Sequence, residues 1–491
     1  MTTPGVPVAG TLRARTAAGR WVIAATVLGS GMAFLDGTVV NVALPAIGRD
    51  LHSGLAGLQW ILSAYLLTLG ALLLLGGALG DRYGRRRVYE VGLVAFSVAS
   101  AVCGVAPDLD ALIVARAVQG IGGALLVPGS LALLSASFVA DDRGAAVGAW
   151  SGLAGAFSAL GPFLGGWLVD AVSWRLVFLI NLPIAAVTLW VVRAHVPESR
   201  DAEAAAGGPL DVPGAVLATV GLAGVVFALI EGSAGGVTPL VAAAGVVGAV
   251  ALVAFPVVER RAAEPLVPLE VFRSRQFSGA NVTTLTVYGA FGGALFLFVV
   301  QLQQDLGYSA LEAGSALLPV TVLMLILSAR AGRLSQRVGP RLPMTVGPLV
   351  AGLGLLLLGR VAPGSRYLTA ILPALIVFGL GLSLTVAPLT AAVMASVEER
   401  HLGVGSGVNN AVARVAGLLS VALLPLAAGL SGVDPAGPGF ADGVRVALRI
   451  SAVVCALGGA VAFVSVRRAA AVRPVVHPGM SHACADPVLR P

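Results

Sequence analysis

The amino-acid sequence predicts an all-α polytopic membrane protein. Its 491 residues are 57% hydrophobic and only 11% charged, and the mean hydropathy is +0.93. Soluble domains carry about 25% charged residues, so a soluble fold could not bury this much apolar surface. A ten-residue signature also occurs twice between long apolar stretches, which is typical of a protein built from two related halves. These two observations predict many membrane spans arranged as an internal repeat.

Fourteen stretches are long and apolar enough to cross a bilayer, which takes about 20 helical residues. The first is longer than the core of a signal peptide and has no small-residue cleavage site after it, so we expect it to be retained. The seventh and eighth are rich in Ala and Gly. The spans are 21–45, 58–80, 88–106, 109–134, 144–169, 174–193, 212–231, 237–258, 277–302, 313–330, 342–360, 366–390, 405–430 and 445–466.

The distribution of arginine predicts the orientation. All 31 basic residues are arginine, and an even number of spans puts both termini on one side. That side carries 23 arginines and the other carries 6, while Arg116 and Arg414 fall inside spans. Because positively charged loops stay in the cytoplasm, we expect both termini to be cytoplasmic. The same placement accounts for the net charge of +7 without a nucleic-acid partner.

The repeated signature divides the chain. Residues 77–86 read GALGDRYGRR and residues 332–341, 255 positions later, read GRLSQRVGPR, with Gly, Leu, Arg, Gly and Arg in register. This offset predicts two six-helix bundles with linkers and an inserted helix pair between them. The predicted segments are a cytoplasmic tail at 1–20, a bundle at 21–193, linkers and the inserted pair at 194–276, a bundle at 277–466, and a disordered cytoplasmic tail at 467–491.

Asp36 lies deep in the first span, within FLDGTVVNVALP at 34–45. A charge at that depth costs several kcal/mol, and acids inside the membrane are functional by default. Burial disfavours the anion, so we expect Asp36 to titrate near neutral pH. Such an acid can take up a proton and release it again. The alternative is a structural hydrogen bond or a salt bridge to Arg116. Arg116 cannot lose its proton, so it either controls the protonation of Asp36 or binds backbone carbonyls near the cytoplasmic end.

Other polar residues inside the spans are candidates for the lining of a substrate cavity. Asn410 and Arg414 lie one helical turn apart and therefore share a face, as do Arg116 and Gln119. The candidates are Asn41, Gln119, Asn409, Asn410 and Arg414. By contrast, we expect the glutamines at the outer end of the ninth span to be solvated; they are Gln301, Gln303 and Gln304.

In the fifth span, Pro162 removes a backbone hydrogen bond in mid-helix. The glycines on either side allow a hinge or a tight helix contact, and the alternative is a packing kink with no role in gating. Small residues four apart let membrane helices approach closely. Gly148 with Gly152, and Gly161 with Gly165, form such pairs.

No enzyme is predicted. The five histidines fall in loops or the tail, the three cysteines are scattered, and the sequence has no HExxH, CxxC, GxSxG or GxxxxGK[ST] motif. We therefore expect no catalytic residues, no metal site and no cofactor. Because a nucleotide-binding loop is absent, an ion gradient would have to drive any transport.

The motifs together resemble the major facilitator superfamily, and within it the fourteen-helix drug:proton antiporters of the EmrB/QacA type, over roughly residues 20 to 470. The stretch at 35–45 is similar to the first-helix signature of that family, and 77–86 is similar to the loop signature of the superfamily. Residues 116–120 (RAVQG) look like a motif tied to proton coupling. Residues 161–166 (GPFLGG) look like a motif of antiporters, and 174–183 (WRLVFLINLP) also fits.

The resemblance implies the major facilitator fold, with two six-helix bundles around a central cavity and the inserted pair outside. It implies proton coupling through Asp36 and Arg116 and transport by alternating access. It also implies a conformational switch at Gly77, Asp81, Arg82, Gly84 and Arg85, and an antiporter hinge at Gly161, Pro162, Gly165 and Gly166. Two departures are that Phe157 stands where the antiporter motif usually has Gly, and that the last six spans have no acid at mid-depth, which argues against dication substrates.

The predicted function is proton-coupled export of amphipathic organic compounds, such as drugs or antibiotics, across the cytoplasmic membrane. Its partners would be a small-molecule substrate, protons and the lipid bilayer. One alternative is a dedicated exporter of a single endogenous metabolite or lipid. A membrane sensor or scaffold is disfavoured, because polar residues lie inside the spans and no large soluble domain is present to carry a signal. The sequence leaves the substrate and the oligomeric state open.

Overall fold

The computed structural model describes residues 10, 12–201, 207–398 and 402–467. Within these ranges, fourteen helices are long and apolar enough to cross a membrane, which confirms the predicted number. They are α1 (Ala17–Asp50), α2 (Leu55–Tyr83), α3 (Arg85–Gly104), α4 (Leu109–Ser137), α5 (Ala140–Ala171), α6 (Leu176–His195), α7 (Val212–Gly235), α8 (Pro239–Glu259), α9 (Arg275–Gln304), α10 (Ala310–Val338), α11 (Arg341–Leu358), α12 (Tyr367–Met394), α13 (Gly403–Ala427) and α14 (Phe440–Ser465).

Most of the repeated signature is helical rather than a loop. Only Gly84 separates α2 from α3. Gly84 has a φ of 110°, and Gly339 at the corresponding position after α10 has a φ of 84°. This backbone region disfavours side chains with a Cβ atom. The repeat in sequence therefore corresponds to a repeated backbone turn.

The inserted pair packs outside the two six-helix bundles. Helices α7 and α8 approach closely at Gly221, Gly224 and Gly248, where an added Cβ atom would collide with the opposite helix. A cluster of buried apolar side chains then joins α7 to α2 and α13, among them Leu222, Val226 and Leu418. The pair is thus attached to the helices through which the two bundles meet.

The two bundles contact each other unevenly along their length. Helices α2 and α13 pack together near both ends, through Leu74 with Gly407 and through Gln59 with Val421. Helices α5 and α10 meet only in the halves far from the chain termini, because a Cβ atom at Gly148 or Gly152 would meet no atom within 4 Å. The prediction that Gly148 and Gly152 form a packing pair was therefore wrong. Toward the end that carries the termini, α5 therefore has open space beside Gly148 and Gly152.

Candidate functional site

The charged residues inside the first bundle form one closed cluster. Asp36 of α1 and Arg116 of α4 have relative exposures of 0% and 1%. Arg116 Nη1 donates to Asp36 Oδ2 over 2.5 Å and to Gln119 Oε1 over 2.7 Å. Two residues one turn apart on α4 thus hold a carboxylate on α1, at a depth where neither side chain reaches water.

The other oxygen of Asp36 is held by amides. Gln119 Nε2 donates to Asp36 Oδ1 over 2.8 Å, and Asn181 Nδ2 of α6 donates to the same atom over 3.1 Å. Both amides also donate to Ser100 Oγ on α3, at 3.2 and 2.9 Å. Both oxygens of the Asp36 carboxyl group therefore accept hydrogen bonds, as burial of a polar group requires.

Arg116 is held on its remaining sides by α2 and α6. Its Nε donates to Ile61 O over 3.2 Å, and its guanidinium carbon lies 4.2 Å from the centre of the Tyr65 ring and 5.7 Å from that of Phe178. Aromatic faces attract a desolvated cation. Arg116 therefore makes both contacts that the sequence suggested. It forms the ion pair with Asp36, which was the structural alternative to a functional role, and it donates to a backbone carbonyl.

One prediction about this cluster was wrong: Gln119 does not line a cavity, because it is completely buried between helices of the first bundle. Arg116 lies in the second turn of α4, near the end of the bundle opposite the chain termini. If the termini are cytoplasmic, as predicted, Arg116 is not near the cytoplasmic end. Sequence reasoning also missed Ser100 and Asn181. Asn181 lies in the 174–183 stretch that carried the family resemblance, whereas Ser100 gave no signal beyond being polar in an apolar span.

One face of α1 borders the open space beside this cluster. A Cβ atom at Gly37 would meet no atom within 4 Å, and Asn41, one turn further on, is half-buried and donates to Gly37 O over 3.1 Å. Across from this face, the guanidinium of Arg414 on α13 lies 5.7 Å from the ring centre of Phe34. Asn41 and Arg414 thus lie where the two bundles face each other.

The asparagines of α13 have different surroundings. Asn409 Nδ2 donates to Asn281 Oδ1 over 3.1 Å and to Thr284 Oγ1 over 2.7 Å, so it joins α13 to α9. Asn410 is exposed and donates to Ser406 O of its own helix. Asn409 therefore stabilises the second bundle, whereas Asn410 remains a candidate for contact with a substrate.

Polar contacts close the bundles together at the end far from the termini. Asp170 at the end of α5 accepts from Ala310 N over 3.2 Å and from Leu311 N over 2.8 Å, and thereby caps the beginning of α10. Gln303 Nε2 donates to Val42 O over 2.9 Å, which joins α9 to α1. The prediction that the glutamines ending α9 are solvated was wrong for Gln301, which is buried.

The carboxyl group of Asp305, just beyond α9, lies beside this closure. Its Oδ2 is buried and has no hydrogen-bond partner among the described residues. Burial raises the pKa of the Asp305 carboxyl above its ordinary value. The group therefore takes up a proton more readily than an exposed aspartate.

The predicted hinge in α5 is a close junction with two neighbours. An added Cβ atom at Gly161 would collide with Thr38, and one at Gly165 with Val39, so these glycines let α5 lie against α1. One at Gly166 would collide with the backbone of Ala310 on α10. The Gly161–Gly165 pair is therefore a packing pair, and Gly166 extends the contact to the second bundle.

The missing N–H of Pro162 frees a carbonyl in the same junction. Pro162 cannot donate to the oxygen of Ser158, and the Thr38 hydroxyl lies 3.2 Å from that oxygen and 3.0 Å from Leu35 O. A membrane helix tolerates proline where a neighbouring Ser or Thr satisfies the freed group. A hydroxyl on α1 therefore stabilises the proline-containing turn of α5.

The predicted switch residues are tied to the segment that follows α6. Arg85 Nη2 lies 2.7 Å from Asp81 Oδ1, and Arg82 Nη1 donates to Gly208 O over 2.5 Å. Glu198, which the sequence did not suggest, accepts from the backbone N–H groups of Arg86 and Arg87 at the start of α3. Gly77 lies in α2, facing Pro128 of α4. Within the part of the chain that the structure describes, no ion pair joins these residues to the second bundle.

Comparisons with known proteins agree with this architecture. A family model described as the Major Facilitator Superfamily matches residues 26–421. The chain is 38% identical over 410 residues to the puromycin resistance protein pur8 of Streptomyces alboniger, covering 82% of this chain and 80% of that protein. It is 35% identical over 402 residues to the tetracenomycin C resistance and export protein of Streptomyces glaucescens, covering 82% and 74%.

Solved structures show the same fold at low sequence identity. A bacterial homologue of the human lysosomal transporter Spinster, in an inward-facing and unoccupied conformation, superposes with a TM-score of 0.65 at 16% identity, covering 92% of this chain and 97% of that one. A POT family transporter in complex with a thioalcohol-conjugated peptide gives a TM-score of 0.66 at 15% identity, covering 89% and 94%.

Proposed function

Because the chain belongs to the Major Facilitator Superfamily, we propose that it exports amphipathic organic compounds, drugs or antibiotics, across the cytoplasmic membrane in exchange for protons. Its relatives are antibiotic and multidrug resistance exporters. The chain is accordingly a multi-pass membrane transporter of small molecules rather than an enzyme. Our proposal adds the direction of transport, its coupling to protons and the roles of individual residues.

The observation that carries the proton role is the buried ion pair. Asp36 is the one acid at mid-depth in the described helices, and Arg116 keeps its charge. Adding a proton to Asp36 neutralises the partner of Arg116. A buried cation without a partner is strongly unfavourable as long as the helices keep this arrangement. Protonation therefore favours a rearrangement of α1 against α4, and α1 is also the helix that contacts α5 and α9 at the closed end.

The uneven closure of the bundles supports transport by alternating access. If the arginine-rich side is cytoplasmic, the cavity faces the cytoplasm and the contacts of Asp170 and Gln303 close the outer side. Substrate would load from the cytoplasm while Asp36 is ionised. Rocking of the bundles would then expose the cavity and Asp36 to the outside, where a proton replaces the substrate. Because the two states exclude each other, the fluxes are coupled.

A dedicated exporter of one endogenous product is the second candidate. It is favoured by relatives that are named for single compounds, tetracenomycin C and actinorhodin. Both candidates use the same mechanism and differ only in substrate breadth. Export measured against a panel of antibiotics that includes puromycin, tetracenomycin C and actinorhodin separates them.

The test uses purified protein in liposomes with an imposed pH gradient. For whichever compound of the panel is exported, Asp36→Asn should abolish accumulation driven by the gradient. It should retain exchange of labelled for unlabelled substrate, which needs no net proton transfer. Asp110→Asn, a change at an exposed acid in the first turn of α4, is the matched control and should behave like the wild type. Gradient-driven export that persists in Asp36→Asn, or is unaffected by a protonophore, would contradict the proposal.

A further inference from the structure

We propose that this transporter selects compounds that carry a negative charge, and that Arg414 binds the anionic group. The inference rests on the proposed function, because it names the substrate class of the same cavity. The inference concerns only the charge of the substrate. It can therefore be wrong even if export is driven by protons.

Arg414 is a half-buried cation near the middle of a membrane helix. It lies eleven residues after Gly403, the start of α13, and reaches across to the Phe34 ring of α1 at 5.7 Å. None of the carboxylates that the structure describes forms an ion pair with it. A guanidinium at this depth is costly and keeps its charge. An anion that binds between the bundles would supply the ionic partner that Arg414 lacks among the described residues.

The acid that could attract a cation is already neutralised. Of the 24 acidic residues, Asp36 lies at mid-depth, and the others that the structure describes lie outside the helices or within two turns of a helix end. Asp36 is fully buried, paired with Arg116 and bonded by two amides. Of the charges on Asp36, Arg116 and Arg414, that of Arg414 alone has no ionic partner among the described residues, so the region around it between α1 and α13 repels cationic ligands.

Arginines near the end of α10 add further positive charge. A cavity of about 510 Å³ between α10 and α12 is lined by Arg330, Arg333 and Arg337. The usual excess of basic residues near the cytoplasmic ends of membrane helices is enough to explain these three arginines. It does not explain Arg414, which lies near the middle of its helix. The three arginines of α10 raise the local concentration of anions at this end of the second bundle, and Arg414 would select among them.

The surroundings of Arg414 suit an aromatic or aliphatic body. The Phe34 ring lies 5.7 Å from its guanidinium, and on α9 the ring centres of Tyr288 and Phe291 are 5.0 Å apart. Asn410, one turn before Arg414, is exposed and has a second amide hydrogen to donate. An amphipathic acid could place its anion on Arg414 and its apolar body on these rings.

The experiment compares three probes that share one ring system. They are anthracene-9-carboxylate, 9-anthracenemethanol and (anthracen-9-ylmethyl)trimethylammonium, measured for binding by fluorescence in detergent and for accumulation in liposomes. We expect the wild type to bind and transport the carboxylate and to reject the ammonium. Arg414→Gln should weaken carboxylate binding by about tenfold to hundredfold, the effect of losing a hydrogen bond to a charged group. It should leave binding of the alcohol unchanged.

Two further variants separate charge from packing. Arg414→Lys keeps the charge and should retain most of the preference for the carboxylate, whereas Arg360→Gln, at an exposed arginine between α11 and α12, should have no effect. Equal binding of ammonium and carboxylate by the wild type, absence of carboxylate binding, or unchanged carboxylate binding in Arg414→Gln would each overturn the proposal. Failure of the proton-coupling proposal would appear instead as accumulation that ignores the pH gradient, with the binding preference intact.

Discussion

The Asp36–Arg116 pair allows a quantitative test by a double-mutant cycle. Removing one partner of a buried ion pair leaves an uncompensated charge and costs about 3–5 kcal/mol. In Asp36→Asn, Arg116 keeps its bonds to Ile61 O and Gln119 Oε1 and its contact with the Tyr65 ring. These contacts orient the guanidinium but do not neutralise it. At about 2 cal/mol/K of unfolding entropy per residue, a chain of 491 residues shifts by about 1 °C for each kcal/mol. The midpoint of heat unfolding should therefore fall by roughly 3–5 °C.

The reverse change should respond to pH. In Arg116→Gln, Asp36 keeps the amides of Gln119 and Asn181 as donors. A carboxyl group can take up a proton, whereas a guanidinium in practice cannot lose one. The loss of stability in Arg116→Gln should therefore shrink as the pH falls, and the loss in Asp36→Asn should not.

The double variant, Asp36→Asn with Arg116→Gln, leaves no charge in the cluster and should lose less than half of the sum of the two single losses. The assay is heat unfolding of purified protein in detergent, followed by intrinsic fluorescence at several pH values. Asp50 and Arg175 form an exposed ion pair at 2.7 Å and are the control cycle, with an expected coupling below about 1 kcal/mol. Additive losses at Asp36 and Arg116 would refute the reasoning.

Two further predictions concern movement of the bundles. Gly166→Val should prevent closure of α5 on α10, because a side chain there collides with the Ala310 backbone. Labelling of cysteines introduced at the closed end should then increase, and transport should fall at least tenfold. The control Gly148→Val faces open space and should do neither. Asp81→Asn removes the partly exposed ion pair with Arg85 and should change stability by less than about 1 kcal/mol, yet slow transport without weakening substrate binding. An unchanged turnover rate in Asp81→Asn would contradict a switch role.

Several features were predictable because they depend on local composition. Apolar stretches of about 20 residues predict helices regardless of their neighbours, and all fourteen predicted spans are helices. The repeated signature predicted two related halves, and Gly84 and Gly339, at corresponding positions of the repeat, both have a positive φ. A single aspartate in an apolar span could be recognised as exceptional because its cost in lipid is a property of the residue. The division into segments and the cytoplasmic position of the termini remain predictions.

Which face of a helix meets which neighbour could not be predicted. Gln119 and Asn409 had the same polarity and depth as residues that border the cavity, but packing places them inside the bundles. Gly148 and Gly161 look alike in sequence, and only Gly161 contacts another helix. A helical span presents every side in turn, so composition alone does not distinguish lipid, cavity and protein.

The sequence by itself determined that this is a membrane transporter with two related bundles and a buried acid, because length, hydropathy and repeat are carried by residues close together in the chain. Only the tertiary structure decided that Asp36 is fully bonded by side chains of α4 and α6, while Arg414 faces α1 without an ionic partner among the described residues. The residues that bond to Asp36 lie far from it in the sequence, up to 145 positions away in the case of Asn181. Their meeting depends on how whole helices pack, which no local pattern specifies.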